Sequence, residues 1–251
     1  PAELADRLLL VVALSMLMTP VLFIIFERVV APRYSLEQQR EADAMPEGRR
    51  IIIAGGGRVG GLLSRILRVA GYDTVVIDYS TRRLEALARF GTLFHYGDAT
   101  RPDLLHAAGI MDAKLLIVAI DDRDQITELV KYAVANYPHL HVMARAIDRD
   151  HVYDLWAFGC RDVIRETYDS TLRMGRSAYE ALGIDRATAQ EMIDAFNDKD
   201  REAMISVADV HQIGVPPEEN EAYIRKVRDL FETWEGEVVE KLDAIRGRSR
   251  E

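Results

Sequence analysis

The chain has 251 residues, 49% of them hydrophobic, enough to bury one full core and too few for two large ones. Its net charge of -9, with no basic stripe carrying interleaved aromatics, argues against nucleic acid as a partner, because phosphate binding needs a basic face. One cysteine, Cys160, excludes an internal disulfide framework, fits a reducing compartment, and reads as a small core residue rather than a nucleophile.

Residues 8–26, LLLVVALSMLMTPVLFIIF, run for nineteen positions without a charge. At about 1.5 Å per residue that length crosses a bilayer core of about 30 Å, so the run reads as a transmembrane helix. Pro20 inside it is tolerated where neighbouring helices satisfy the freed carbonyl. Glu3 and Asp6 before the run, and no small-x-small cleavage site after it, argue against a signal peptide. Because the chain starts at Pro1 without a methionine, it reads as a fragment whose earlier spans are missing. Arg28 and Arg33 follow directly and put the C-terminal side in the cytoplasm by the positive-inside rule. The polar, charged stretch that follows, to about Arg50, reads as a linker.

The centre of the chain is Ile51-Ile52-Ile53-Ala54-Gly55-Gly56-Gly57-Arg58-Val59-Gly60, a buried strand entering a glycine turn that opens a helix. Gly55, Gly57 and Gly60 fit GxGxxG: the first permits a sharp turn, the second lets backbone N–H groups approach a pyrophosphate, the third lets the helix lie close on the strand. The helix N-terminus, with Arg58 and Val59, then faces the phosphate. A second strand over residues 74–77 ends in Asp78, placed to bind a ribose 2′-hydroxyl. The pattern predicts a dinucleotide or adenine nucleotide site.

Strand and helix signals alternate from there. Helices are expected at 59–70 (with Leu62, Leu63, Ile66 and Leu67 on one face), 80–90, from Pro102, at 124–136 and at 150–158; further strands are expected at 92–96, 115–120, 141–146 and 162–165. Strands apolar on both faces and separated by helices predict an α/β fold: a Rossmann-like, doubly wound, parallel six-stranded sheet covered on both sides. Beyond Tyr168 only helices are expected, at 168–182, 187–211 and 218–242, a tail suited to packing against a partner. The expected domains are 1–33 (last transmembrane helix of a membrane domain), 34–49 (linker), 50–166 (nucleotide-binding regulatory domain) and 167–251 (helical extension for dimer or partner binding).

The run Ile53-Ala54-Gly55-x-Gly57-Arg58-x-Gly60, then Asp78, then Tyr96-Gly97-Asp98-Ala99-Thr100-Arg101-x-Asp103-Leu104-Leu105-x-x-Ala108-Gly109, then Ala119-Ile120-Asp121-Asp122 and Arg165-Glu166-Thr167, resembles the cytoplasmic nucleotide-binding (RCK/KTN) domain of the glutathione-gated potassium efflux antiporters, the Kef family. The resemblance covers about residues 50–205. It implies a multi-pass antiporter of the bacterial inner membrane exchanging potassium for protons, held shut by glutathione and opened by glutathione adducts. It further implies a homodimer, coupling to the membrane-embedded antiporter domain of the same chain, and a soluble quinone-oxidoreductase-like ancillary subunit. By resemblance, AMP or NAD(H) sits on Gly55, Gly57, Arg58, Val59 and Gly60, with Asp78 at the ribose and Asp98, Ala99, Thr100 and Asp121 around the rest of the nucleotide. Glutathione lies at the dimer interface, with the family's two arginines falling on Arg65 and Arg165 and its gating aromatic on Phe90. The family's asparagine on the following helix falls at or near Asp200, or on Asn197 if the register slips; an acid there would repel a glutathione carboxylate.

Read from the residues alone, Arg65 is a solvated helix residue, Arg165 pairs with Glu166 or Asp169 at the surface, Phe90 packs in the core, and His95 is packed and hydrogen-bonded rather than a metal ligand. Two other functions compete. A membrane-tethered NAD-dependent dehydrogenase or epimerase would need a substrate domain or a catalytic pair, yet there is no Tyr-x-x-x-Lys and no strand-rich second half, so no enzyme is expected. A nucleotide-gated potassium channel or uptake subunit would share the cytoplasmic domain.

Overall fold

A computed structural model describes residues 51–248, apart from the side chains at positions 233 and 248, together with scattered positions between 7 and 22. Two compact units divide the chain, Pro1–Pro46 and Glu47–Glu251. In the first, the described positions are helical, and Ser15 and Thr19 each return a hydroxyl bond to the preceding turn. The expected span at 8–26 and the linker lie otherwise outside the described residues. Among the described residues no helix is long and apolar enough to cross a membrane.

The second unit alternates strand and helix: β1 (Ile51–Ala54), α1 (Arg58–Val69), β2 (Thr74–Asp78), α2 (Thr81–Ala88), β3 (Leu93–Tyr96), α3 (Pro102–Ala107), β4 (Leu115–Val118), α4 (Arg123–Asn136), β5 (His141–Ala146), α5 (Arg149–Ala157) and β6 (Asp162–Arg165). All strand pairs are parallel, in the order β3-β2-β1-β4-β5-β6. The chain winds outward from β1 on one side, then crosses to β4 and winds outward on the other. A crevice therefore opens between the carboxyl ends of β1 and β4, the topological switch point where doubly wound sheets bind ligands.

Side-chain alternation in the strands builds two cores. Ile52, Val75, Ile77, Leu116 and Val118 face the layer of α3, α4 and α5, around fully buried Leu105, Ile126, Leu129 and Leu155. Ile51, Ile53, Val76 and Ile117 face the thinner layer of α1 and α2, closed by Leu63, Leu67, Leu84 and Leu87. This second layer stops short of β6. Leu62 and Ile66 on α1, and Ile164 on β6, are about half exposed on this side, where Met143 and Arg145 of β5 also lie by register. The expectation of a sheet covered on both faces is thus corrected at two places: here, and at β3, an edge strand whose Leu93, Phe94 and Tyr96 are exposed.

β6 passes into the tail through Thr167, which adopts φ 64 and is the one non-glycine residue with positive φ among the described residues. The tail holds α6 (Tyr168–Ala181), α7 (Arg186–Val207) and α8 (Glu221–Arg248), which begins three residues later and ends six residues later than the expected 218–242. Asp185 caps α7 through the amides of Ala187 and Thr188. Met192, Ala195 and Ile245 form a small core of their own with Tyr179, Ile184 and Leu242.

Candidate functional site

The glycine turn is enforced by crowding. Gly55 stands at φ 97, its amide donates to Ile77 O at 2.8 Å, and an added Cβ would lie 2.8 Å from Ala119 O. A Cβ at Gly60 would lie 1.9 Å from Gly55 O, so only glycine lets α1 start this close to β1. Gly57 precedes the first helical residue, and the turn beyond β1 presents a helix N-terminus to the crevice.

Asp78, 4% exposed, is the hub of the crevice wall. Its Oδ2 accepts from the Gly56 amide at 2.7 Å and from Arg83 Nη1 at 3.3 Å, and its Oδ1 accepts from the Ser80 amide at 2.7 Å. The acid therefore shapes the glycine loop as well as facing the crevice. Gly55, Gly57, Asp78, Asp98, Ala99 and Asp121 line one crevice together with Tyr79, Arg83, Gly97 and Gln125. Thr100 stands behind it, its amide and hydroxyl both donating to Asp98 Oδ1 at 2.9 Å. Arg58 and Val59 instead line the neighbouring groove over β5 and β6. Its volume is about 600 Å³.

Sequence reading missed Arg83 and Arg145. Arg145, 7% exposed at the carboxyl end of β5, donates from Nη1 to Asp121 Oδ1 and from Nη2 to Glu166 Oε2, each at 2.8 Å. Its Nε is buried without a hydrogen-bond partner. Arg58 lies 3.7 Å from the other oxygen of Glu166. One buried guanidinium thus ties the crevice-side acid Asp121 to the turn that begins the tail. A charge in the strand His141-Val-Met-Ala-Arg-Ala, where buried strands seldom carry one unpaired, is the signal that would have found it.

The four residues assigned by resemblance to glutathione fall into two groups. Arg65 and Phe90 line one depression with Gly61, Arg68, Val69, Leu87 and Thr92, beside the β3 edge. Phe90 is 72% exposed, which corrects its reading as a core residue: the helix stops at Ala88 and the ring lies beyond its last buried turn. Arg165 stands at the other end of the sheet, on β6, and is joined to Asp200. It pairs with neither Glu166 nor Asp169, because Glu166 is taken by Arg145 while α7 brings Asp200 against the strand end. Arg165 Nη2 lies 2.5 Å from Asp200 Oδ2, and Arg149 of α5 holds the other oxygen. The Arg165 guanidinium also stacks 3.5 Å over the ring of Tyr168, whose hydroxyl donates to Asn197 Oδ1 at 3.1 Å and is shifted up to about 12, first by burial and then by Asp200. Asp200, 7% exposed, therefore balances two arginines rather than confronting solvent.

His211, after α7, lies between Asp154 at 2.8 Å and Asp150 at 3.4 Å, and Arg123 reaches Asp148, Asp150 and Asp154. Buried His151 accepts the Ile147 amide on Nδ1 and meets the Thr127 hydroxyl through Nε2. Burial first, then Arg123, lowers its pKa. Burial raises the Cys160 thiol to about 11.

Residues 51–166 match the TrkA-N domain family, and residues 170–245 match the Potassium efflux system KefB C-terminal domain family. Proteins named glutathione-regulated potassium-efflux system protein KefC, from Escherichia fergusonii and Escherichia coli, are each 44% identical over 198 residues, 77% of this chain and 31% of theirs. The chain thus spans just under a third of the length of these relatives. The solved structure described as the Shewanella denitrificans Kef CTD in AMP bound form superposes with a TM-score of 0.60 at 37% identity, over 65% of this chain and 99% of that one. The chain belongs to the Kef family, as a C-terminal regulatory domain.

Proposed function

We propose that this chain is the cytoplasmic ligand-sensing part of a potassium/proton antiporter, binding AMP or NAD(H) in the crevice at β1 and β4 and glutathione or its adducts at the arginines, and so gating potassium efflux. The observation that carries the reading is the crevice itself: a glycine turn that tolerates no side chain, an acid at the end of β2 and a helix N-terminus meet at the switch point. The AMP of the Shewanella denitrificans neighbour and the names of the KefC relatives support it. Titration calorimetry on the whole chain with AMP, NADH and NADPH tests it. AMP or NADH is expected to bind more tightly than NADPH, since Asp78 repels a 2′-phosphate; tighter NADPH binding, drawn in by Arg83, overturns the preference.

Arg65 with Phe90, and Arg165, lie at opposite ends of the sheet, so a tripeptide touching both sets takes them from two subunits. The uncovered apolar strip of Leu62, Ile66 and Ile164 supports a homodimer through the face of β5 and β6. Light scattering across micromolar concentrations is expected to find dimer; monomer throughout contradicts it. The division at 1–33, 34–49, 50–166 and 167–251, an inner-membrane location, control of an antiporter domain in the same chain and an ancillary oxidoreductase-like subunit belong to the same proposal.

A further inference from the structure

The Asp200 carboxylate is gripped between two arginines. Its carboxylate is nearly buried, spans the guanidinium groups of Arg149 and Arg165, and comes from α7, thirty-five residues beyond β6. Arg165 is already oriented by stacking on Tyr168, which is itself anchored to Asn197 of α7. The next helix closes over the same place: Asp200 shares a small cavity with Arg149, Phe231 and Trp234, and the Trp234 indole donates to Lys199 O. Geometrically this is a carboxylate-binding site with two arginines, filled by the protein's own acid.

We propose that Asp200 is an internal anion that competes with carboxylate ligands for Arg165, so that an anionic ligand engages Arg165 only by displacing Asp200 and loosening α7 from the end of β6. This rests on the reading that Arg165 binds a carboxylate ligand, and it assigns Asp200 a role opposite to that of a contact residue: it lowers affinity and couples occupancy to the tail. Arg149 sets the strength of the competition. While it shares the Asp200 carboxylate, Arg165 is partly released; without it, Asp200 belongs to Arg165 alone.

Titration of the whole chain with glutathione, and separately with succinate as a plain dicarboxylate, tests this, read by calorimetry and by the fluorescence of Trp234, with Trp156→Phe as background. Asp200→Asn is expected to bind both probes at least tenfold more tightly than the parent and to lose most of the ligand-induced Trp234 change, because no acid remains to be displaced. Arg149→Met is expected to bind both more weakly, which keeps the test decisive if Asp200→Asn does not fold. Unchanged affinities in Asp200→Asn, or tighter binding in Arg149→Met, overturn the competition. Gains confined to succinate support the competition and overturn glutathione as the ligand; glutathione binding undiminished in Arg165→Ala overturns the parent reading.

Discussion

The two ends of the sheet's carboxyl edge are built by different forces. At β1 the geometry is set by backbone crowding: Gly55 and Gly60 stand where any side chain would strike a carbonyl, and Asp78 accepts the Gly56 and Ser80 amides. At β6 the geometry is set by charge between segments far apart in sequence: Arg165 with Asp200, Arg149 with Asp200, Arg145 with Asp121 and Glu166. The first end is rigid because alternatives are sterically closed. The second is held by ion pairs, which a competing ion can exchange.

Gly60→Ala is the most direct way to break the rigid end. Its Cβ would lie 1.9 Å from Gly55 O, and because neither backbone can yield, a loss of about 3 kcal/mol or more is expected. Thermal unfolding followed by circular dichroism measures it, and a variant as stable as the parent would mean that α1 does not start against the turn. At the other end, Arg145→Met removes the shared partner of Asp121 and Glu166. A fully buried pair so broken costs roughly 3 to 5 kcal/mol; with Asp121 more than half exposed, about 2 kcal/mol is expected, and urea unfolding checks it. A loss below about 0.5 kcal/mol would show that Arg145 merely fills space.

Asp78→Ala sharpens the contrast within the crevice. Loss of the charged acceptor is expected to weaken AMP by about 1 to 3 kcal/mol, some fivefold to more than a hundredfold, by calorimetry. Unchanged affinity would place the binding energy on base and phosphate. The smallest effect expected concerns pH. His151 has a lowered pKa in the folded protein, so folding favours its neutral form. Its contribution is complete above the unfolded value of about 6.5 and is lost as pH falls through the folded one, since a proton on Nδ1 must break the Ile147 bond. His151→Gln is expected to flatten the fall in stability between about pH 7 and 5 by about 1 kcal/mol or less. An equally steep profile in the variant would assign that fall to other groups, with the carboxylates around Arg123 and His211 next to be tested.

The rigid end was legible in the sequence because its signature is short, although the carbonyl that crowds Gly55 belongs to Ala119 across the crevice. The spacing of Gly55, Gly57 and Gly60 after an apolar run, and the acid closing the next strand, carry the strand-turn-helix geometry without reference to the rest of the chain. β3 was misjudged as covered because exposure depends on strand order: Leu93 and Phe94 look like core residues until β3 becomes the sheet's edge. Arg165 was misjudged for a related reason. Its neighbours in sequence, Glu166 and Asp169, offered the obvious partners, while the actual one arrives from α7 by tertiary packing. Asp200 in turn read as a repulsive intruder because the two guanidinium groups that neutralise it come from α5 and β6.

Thr167 makes the joint between sheet and tail a strained one. A β-branched residue in the left-handed region stores on the order of 1 to 3 kcal/mol, and here it is clamped on both sides. The Glu166 amide is fastened to Ala146 O at 2.7 Å, and Thr167's own carbonyl is capped by the Thr171 amide and the Ser170 hydroxyl. The bend is therefore a cocked spring rather than a slack hinge. Loss of the contacts at Glu166 or Arg165 would remove what holds Thr167 in this conformation. Because Thr167 is the last residue before α6, its backbone angles set the direction in which that helix leaves the sheet.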